Sequence, residues 1–312
     1  MKKFKLKIAE RTSLNGGKLI SIVLMFTMFT SCLRLDSNLY NLSDKIKEYK
    51  WDNYTGLQDF KLDATYDIQD SMHHVFTLQS KGKNDTKNFQ IYATYLGELK
   101  NIATDTVILY CHGNKWHMDF YWQRAKLLAH IGHKHRYGVM MLDYRGYGLS
   151  DGPPSEEGLY NDVDAAMQWL KANGLSNERL IIYGFSMGSA PSCELTGNPR
   201  SMRPQKLILE APFGSEAIMA ADGSGLDMPG SYVSNLKIDN AEEIKKVTQD
   251  LCWIHGTQDN FLNIKTHGEV VFKNHGGIYK EAHRIEGADH GTVPTTFGFQ
   301  NYLGVLEKFI VH

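Results

Sequence analysis

The sequence predicts an α/β fold, a mostly parallel sheet with helices on both faces. Three observations carry this. Short, continuously apolar runs recur along the chain, as strands buried on both faces require. Segments with helical spacing of apolar residues lie between them. One apolar run passes directly into a Gly-x-Ser-x-Gly turn and then into a small-residue segment, the signature of strand, tight turn and helix. The 312 residues fit a single α/β domain with an N-terminal extension.

The elements follow in chain order. Residues His74–Leu78 and Ile91–Leu96 read as an opening antiparallel pair joined by the polar turn Gly82-Lys83-Asn84-Asp85. Thr106–Tyr110 and Val139–Leu142 are buried strands, with an amphipathic segment (Tyr121, Leu127, Leu128, Ile131) between them. Pro153-Pro154-Ser155 starts a helix with Glu156 and Glu157 in its first turn. Leu159, Val163, Ala166, Met167 and Leu170 form its apolar stripe, and Gly174 ends it. Leu180–Tyr183, Leu207–Leu209 and Leu251–Ile254 supply further strands.

Chemistry concentrates at the ends of those strands. Gly184-Phe185-Ser186-Met187-Gly188 sets Ser186 at the apex of a strained turn, beside the free N–H groups of a helix N-terminus. A serine hydroxyl is a weak nucleophile at neutral pH. It needs an imidazole to take its proton, and a carboxylate to orient that imidazole. His255-Gly256-Thr257-Gln258-Asp259 and Glu286-Gly287-Ala288-Asp289-His290-Gly291 follow in the order serine, acid, histidine. Asp259 is preferred to Asp289 as the acid, since sequence neighbours rarely orient each other's rings. The turn Cys111-His112-Gly113-Asn114 closes the first parallel strand. There the Asn114 N–H, with that of Met187, is the candidate oxyanion hole, and His112 is read as a brace for the loop.

These residues, with Asp143-Tyr144-Arg145-Gly146-Tyr147-Gly148 and Glu210-Ala211-Pro212-Phe213, resemble the α/β-hydrolase superfamily from about Thr106 onward. The likeness is to its small esterase, lysophospholipase and S33 peptidase-like members. It implies an α/β-hydrolase fold, with a mostly parallel eight-stranded sheet, and a Ser186-His290-Asp259 triad. It implies no metal and no organic cofactor. A short cap is expected at about 214–240, where Met219, Met228, Tyr232 and Leu236 either line an acyl pocket or pack. Similar proteins often carry Gly or Ala soon after the His-Gly-Asn turn, whereas this chain has Lys115-Trp116. These either narrow the pocket or swing outward.

Composition is ordinary for a globular protein, with 42% hydrophobic residues, 22% charged and a net charge of −1. That excludes an electrostatic footprint for nucleic acid. The N-terminus differs. Lys2, Lys3, Lys5, Lys7, Arg11 and Lys18 precede an apolar run, Leu19 to Phe29, that closes on Thr30-Ser31-Cys32. The pattern is a secretory signal, too short to span a bilayer comfortably, and its end resembles a bacterial lipobox with Cys32 as the lipidated residue. Phe29 departs from the usual Leu, and the alternatives are a plain signal peptide or an uncleaved anchor. The expected organisation is therefore a signal peptide over 1–31, a tether and N-terminal segment over 32–70, and a catalytic domain over 71–312. The expected location is the bacterial cell envelope, with a membrane and a small acyl-ester substrate as partners. Sequence leaves the oligomeric state open.

Cys111, Cys193 and Cys252 read as core thiols without zinc-ligand spacing. His130, His133 and His135 read as solvated charges near a helix C-terminus. The expected activity is hydrolysis of carboxylic esters through an acyl-enzyme. The alternatives are an S33-like peptidase or amidase, which needs a group to capture the substrate's amino terminus, and a non-catalytic envelope binding protein on the same fold.

Overall fold

A computed structural model describes residues 40–42, 45–134, 136–215, 217–219, 222 and 237–312. The proposed signal peptide and Cys32, Met228, Tyr232, Leu236 and His135 lie outside the described residues.

Eight strands form one sheet: β1 (His73–Ser80), β2 (Phe89–Leu96), β3 (Val107–Cys111), β4 (Gly138–Leu142), β5 (Leu180–Phe185), β6 (Lys206–Glu210), β7 (Asp250–Gly256) and β8 (Lys280–Ile285). Their spatial order is β1-β2-β4-β3-β5-β6-β7-β8. β2 runs antiparallel to both neighbours, and all other pairs are parallel. The central strands β3 to β6 are buried at every residue, which is why they read as unbroken apolar runs rather than alternating ones.

Alternate residues feed two cores. Leu109, Ile182, Leu207 and Trp253 point toward α2 (Glu156–Ala172), α3 (Ser189–Gly197) and α4 (Gly268–Asn274). Ile108, Tyr110, Ile181, Tyr183 and Ile208 point toward α1 (Met118–Leu128) and α5 (Phe299–Val311). α2 starts as its sequence dictates: the Ser155 hydroxyl accepts the Gly158 N–H at 3.1 Å. It stops at Gly174, whose φ of +91° a side chain would strain.

One helix departs from its sequence pattern. α1 reads as amphipathic, yet all eleven of its residues are buried. The reason is the chain before the sheet, which lies across its outer side. Trp51 packs edge-on to Trp122 at 5.0 Å, the Asp119 carboxylate accepts the Lys50 and Trp51 N–H groups, and Lys126 donates to Asp52. The same segment reaches the end of β3, where Asn41–Leu42 pairs in parallel with Lys115–Trp116. No helix among the described residues is long and apolar enough to cross a membrane.

Candidate active site

The loops after β3, β5, β7 and β8 leave the same edge of the sheet, the carboxyl ends of its parallel strands. Ser186 follows β5 with φ +52°, a conformation rare for a residue with a Cβ. Two glycines permit it. A Cβ on Gly184 would lie 2.6 Å from Ser192 Oγ, and one on Gly188 would lie 1.9 Å from the Cys111 carbonyl oxygen.

The three residues singled out for catalysis meet there. His290 Nε2 lies 2.9 Å from Ser186 Oγ, and its Nδ1 lies 2.8 Å from Asp259 Oδ2. Rings of Phe185 and Phe261 flank the imidazole, at centroid distances of 5.4 and 5.0 Å. Asp259 lies in the loop just after β7 and is held on both oxygens. Its Oδ1 accepts the Phe261 and Leu262 N–H groups, and its Oδ2 also contacts His255 Nε2 at 3.0 Å. His255 Nε2 sits 3.0 Å from the Leu262 carbonyl as well. A carbonyl only accepts, so Nε2 carries the proton and donates to both. Burial alone would raise the Asp259 carboxyl, but the bonds from His255, His290 and Leu262 outweigh it and hold the group well below the usual carboxylate range. Asp289, the rival acid, spends Oδ1 on the N–H groups of Asn260 and His290 and so shapes the loop.

Asn114 and His290 both contribute to the wall of one cavity. Asn114 Oδ1 accepts the Asn41 N–H at 3.0 Å and the Tyr147 hydroxyl at 2.5 Å. His112 is fully buried, with Nδ1 2.7 Å from the Gly113 carbonyl and Nε2 3.2 Å from Asp143 Oδ1. That arrangement suits a brace.

A cavity of about 380 Å³ opens at the serine, walled by Phe120, Tyr121, Phe185 and Phe261 with Asp59, Lys115 and Asp289 as its charged members. Lys115 is thus at the wall, as one reading of the sequence expected. Trp116 is not; it turns edge-on against Phe120. Met219 also departs from the pocket reading: it is partly buried against the hydrophobic core and does not wall this cavity. His130 departs too. Rather than being solvated, it is half-buried against Tyr66, with Nδ1 2.7 Å from the Lys126 carbonyl, and burial pulls its pKa down.

Asp59 carries no local sequence signal, and it enters the cavity from the N-terminal segment. Its Oδ2 accepts from Arg124, which donates onward to Glu210 Oε2 at 2.7 Å and lies 4.3 Å over the Phe185 ring. Tyr183 and Tyr302 hydroxyls also donate to Glu210 Oε2. Burial pushes the Asp59 carboxyl up against the pull of Arg124. Phe185 and Phe261 were legible only as neighbours of motif residues.

The motif-bearing half of the chain matches known proteins. Residues 103–252 match the family described as Serine aminopeptidase, S33. Alpha/beta hydrolase domain-containing protein 17C of Mus musculus is 31% identical over 213 residues, 66% of this chain and 59% of that protein. The 17B protein of Xenopus laevis is 31% identical over 204 residues, 65% of each. An esterase of Pyrococcus furiosus superposes with a TM-score of 0.60 at 16% identity, covering 87% of this chain and 97% of that one. The chain has the α/β-hydrolase fold. It spans about three-fifths of the length of the mouse relative it matches.

Two further groups of this chain bear on cofactors. Its described cysteines are buried free thiols, and burial pushes Cys111 up to about 12, far from a reactive thiolate. Cys252, Glu281 and His283 bring ligand atoms within 4.8 Å of one another on β7 and β8. Glu281 already bonds Tyr279 and His283 there, and none of the three walls the cavity.

Proposed function

We propose that this hydrolase cleaves carboxylic esters by acyl transfer through Ser186. The observation that carries the reading is the unbroken relay from Ser186 Oγ through both nitrogens of His290 to Asp259. Ser186 Oγ attacks the acyl carbon while His290 Nε2 takes its proton. The Asn114 and Met187 N–H groups receive the charge that develops on the carbonyl oxygen. Collapse of the tetrahedral intermediate expels the alcohol, protonated by His290. Water, activated by the same imidazole, then releases the acid. Aspartate in place of Ser186 would suit dehalogenation or epoxide opening; serine suits acyl transfer. The aromatic walls fit a small acyl chain, and the solved structures of the same fold include esterases of Pyrococcus furiosus and Exiguobacterium antarcticum.

Anchoring through Cys32 sets where the substrate is met. Asn41 stands at the cavity wall nine residues after Cys32. A fully extended stretch of that length reaches about 30 Å, so the cavity works within that distance of the bilayer surface. Cys32→Ser is expected to move the protein from the detergent phase to the aqueous phase. Retention in detergent contradicts the anchor.

The catalytic reading is tested with a short-chain aryl ester and a fluorophosphonate probe. Wild type should hydrolyse the ester and take the label, and Ser186→Ala should do neither while its Tm stays within a few degrees. A variant that keeps most of the turnover removes Ser186 from the reaction. Amide and peptide substrates run beside the ester separate the esterase reading from the peptidase one.

A further inference from the structure

The loop Asp143–Gly148 is part of the family pattern, yet it contributes no residue to the triad or to the cavity wall. Its geometry gives it a task. Gly146 and Gly148 have φ of +84° and +51°. A Cβ on Gly148 would lie 2.0 Å from Asp143 Oδ2, so the reversal needs glycine. That reversal turns Tyr147 inward, where it is 1% exposed. The loop is pinned along its length. Tyr49 donates to Asp143 Oδ2 at 2.7 Å, the Arg145 N–H donates to Asp162 at 2.7 Å, and the Arg145 side chain bridges Asp162 and Asp85. Tyr144 donates to the His112 carbonyl at 2.9 Å, tying the loop to the oxyanion turn.

The hydroxyl of Tyr147 reaches side chains of both oxyanion-hole residues. It lies 2.5 Å from Asn114 Oδ1 and 3.6 Å from Met187 Sδ. The single hydroxyl hydrogen goes to the shorter contact, and the sulfur packs against the oxygen. We infer that Tyr147 is a positioning residue that holds the Asn114 and Met187 backbone donors in mutual register for the tetrahedral intermediate. The two donors come from loops after different strands, β3 and β5, which nothing in the covalent chain keeps aligned. A hydroxyl touching both side chains fixes their separation. Asn114 cannot swing, because its Oδ1 also accepts the Asn41 N–H. Desolvation raises the Tyr147 phenol well above its ordinary value, so it remains a donor across the working pH range. Preorganised donors stabilise developing charge because they need not reorganise during reaction, so loss of register costs rate rather than binding.

The inference rests on the acyl-transfer reading, and the experiment separates the two. Wild type, Ser186→Ala, Tyr147→Phe, Asn114→Ala and the Tyr147→Phe/Asn114→Ala pair are compared as full chains. Each is assayed with an aryl ester and with an aryl trifluoromethyl ketone, whose adduct places an oxyanion in the hole. Tyr147→Phe keeps the ring and is expected to lower kcat about tenfold, less than loss of a whole donor. KM should stay within about twofold, and the ketone should bind more weakly by a factor similar to the loss in kcat. Asn114→Ala removes the acceptor from the other side and should do the same. The pair should cost no more than either single change, because all three break one bridge. Retained kcat, a loss expressed in KM, or additive losses would overturn the assignment. Should Tyr147→Phe fold poorly, the ketone affinity of Asn114→Ala decides alone. A wild type no more active than Ser186→Ala ends the acyl-transfer reading and this one with it.

Discussion

At the scale of single residues, the proposed acyl transfer rests on how fully Asp259 is committed. A buried carboxylate with one partner would drift toward neutrality; this one has bonds on both oxygens and stays ionised well into acid. The acid limb of kcat/KM should therefore carry no proton from Asp259. A log–log slope of one down to about pH 4 is expected, and a slope of two would mean that Asp259 adds its own. Asp259→Asn leaves the shape but presents a donor where Nδ1–H needs an acceptor. A loss in kcat of roughly 10³–10⁴-fold is expected, with KM little changed. Arg124 is the second residue on which much depends. It is fully buried between Asp59 and Glu210. Arg124→Ala would strand Glu210 with two tyrosine hydroxyls as its remaining donors. Chemical denaturation should show a loss of about 3–5 kcal/mol, and a loss below 1 kcal/mol would mean that the cluster holds together without its cation.

At the scale of elements, the site is a set of strand ends kept in register by close backbone approach. Gly188 is the tightest point, where the first turn after Ser186 touches the end of β3 at Cys111 and His112. Gly188→Ala has no flexible side chain to displace, since the nearest atoms are backbone carbonyls. It should push the oxyanion turn away, lowering kcat at least tenfold with a measurable fall in Tm. Wild-type rates in that variant would mean that β3 can retreat freely. The elbow and its glycines were legible in sequence because strand, turn and helix signals are local. So were the core strands and the cap of α2 at Ser155. The serine–acid–histidine order was legible because each residue lies just after a strand-like segment. Asp59, the pairing of Asn41–Leu42 with Lys115–Trp116, and the Tyr147 bridge were not. Each joins residues more than thirty positions apart, or lies on a segment without periodicity, so no window of sequence contains both partners. Burial of His130 escaped for the same reason, since Tyr66 covers it from the N-terminal segment.

At the scale of the whole molecule, that segment joins the hydrolase fold to the chain before it and leaves a pH signature. It half-buries His73 between Trp51, edge-on at 4.7 Å, and Trp122, at 4.5 Å. Desolvation there pulls the imidazole from 6.5 to about 4, against the opposing influence of Asp52. His130, His267 and His275 are pulled the same way by burial. A depressed base is neutral when folded but protonated when unfolded. Its contribution to stability is complete above about pH 6.5 and is lost as pH falls from there through the folded value. Asp59 and Asp162 act oppositely. Burial raises them, so they favour the folded state as pH falls toward the ordinary carboxylate value. A raw Tm profile mixes these trends, and a variant separates them. His73→Phe keeps an aromatic ring between the two tryptophans and removes the titrating nitrogen. Between pH 7 and pH 5 the wild-type Tm should fall further than that of His73→Phe, with the curves converging above pH 7. Parallel curves would show that His73 accepts a proton in the fold as easily as in the open chain, and that the strap over α1 does not seal this imidazole from water.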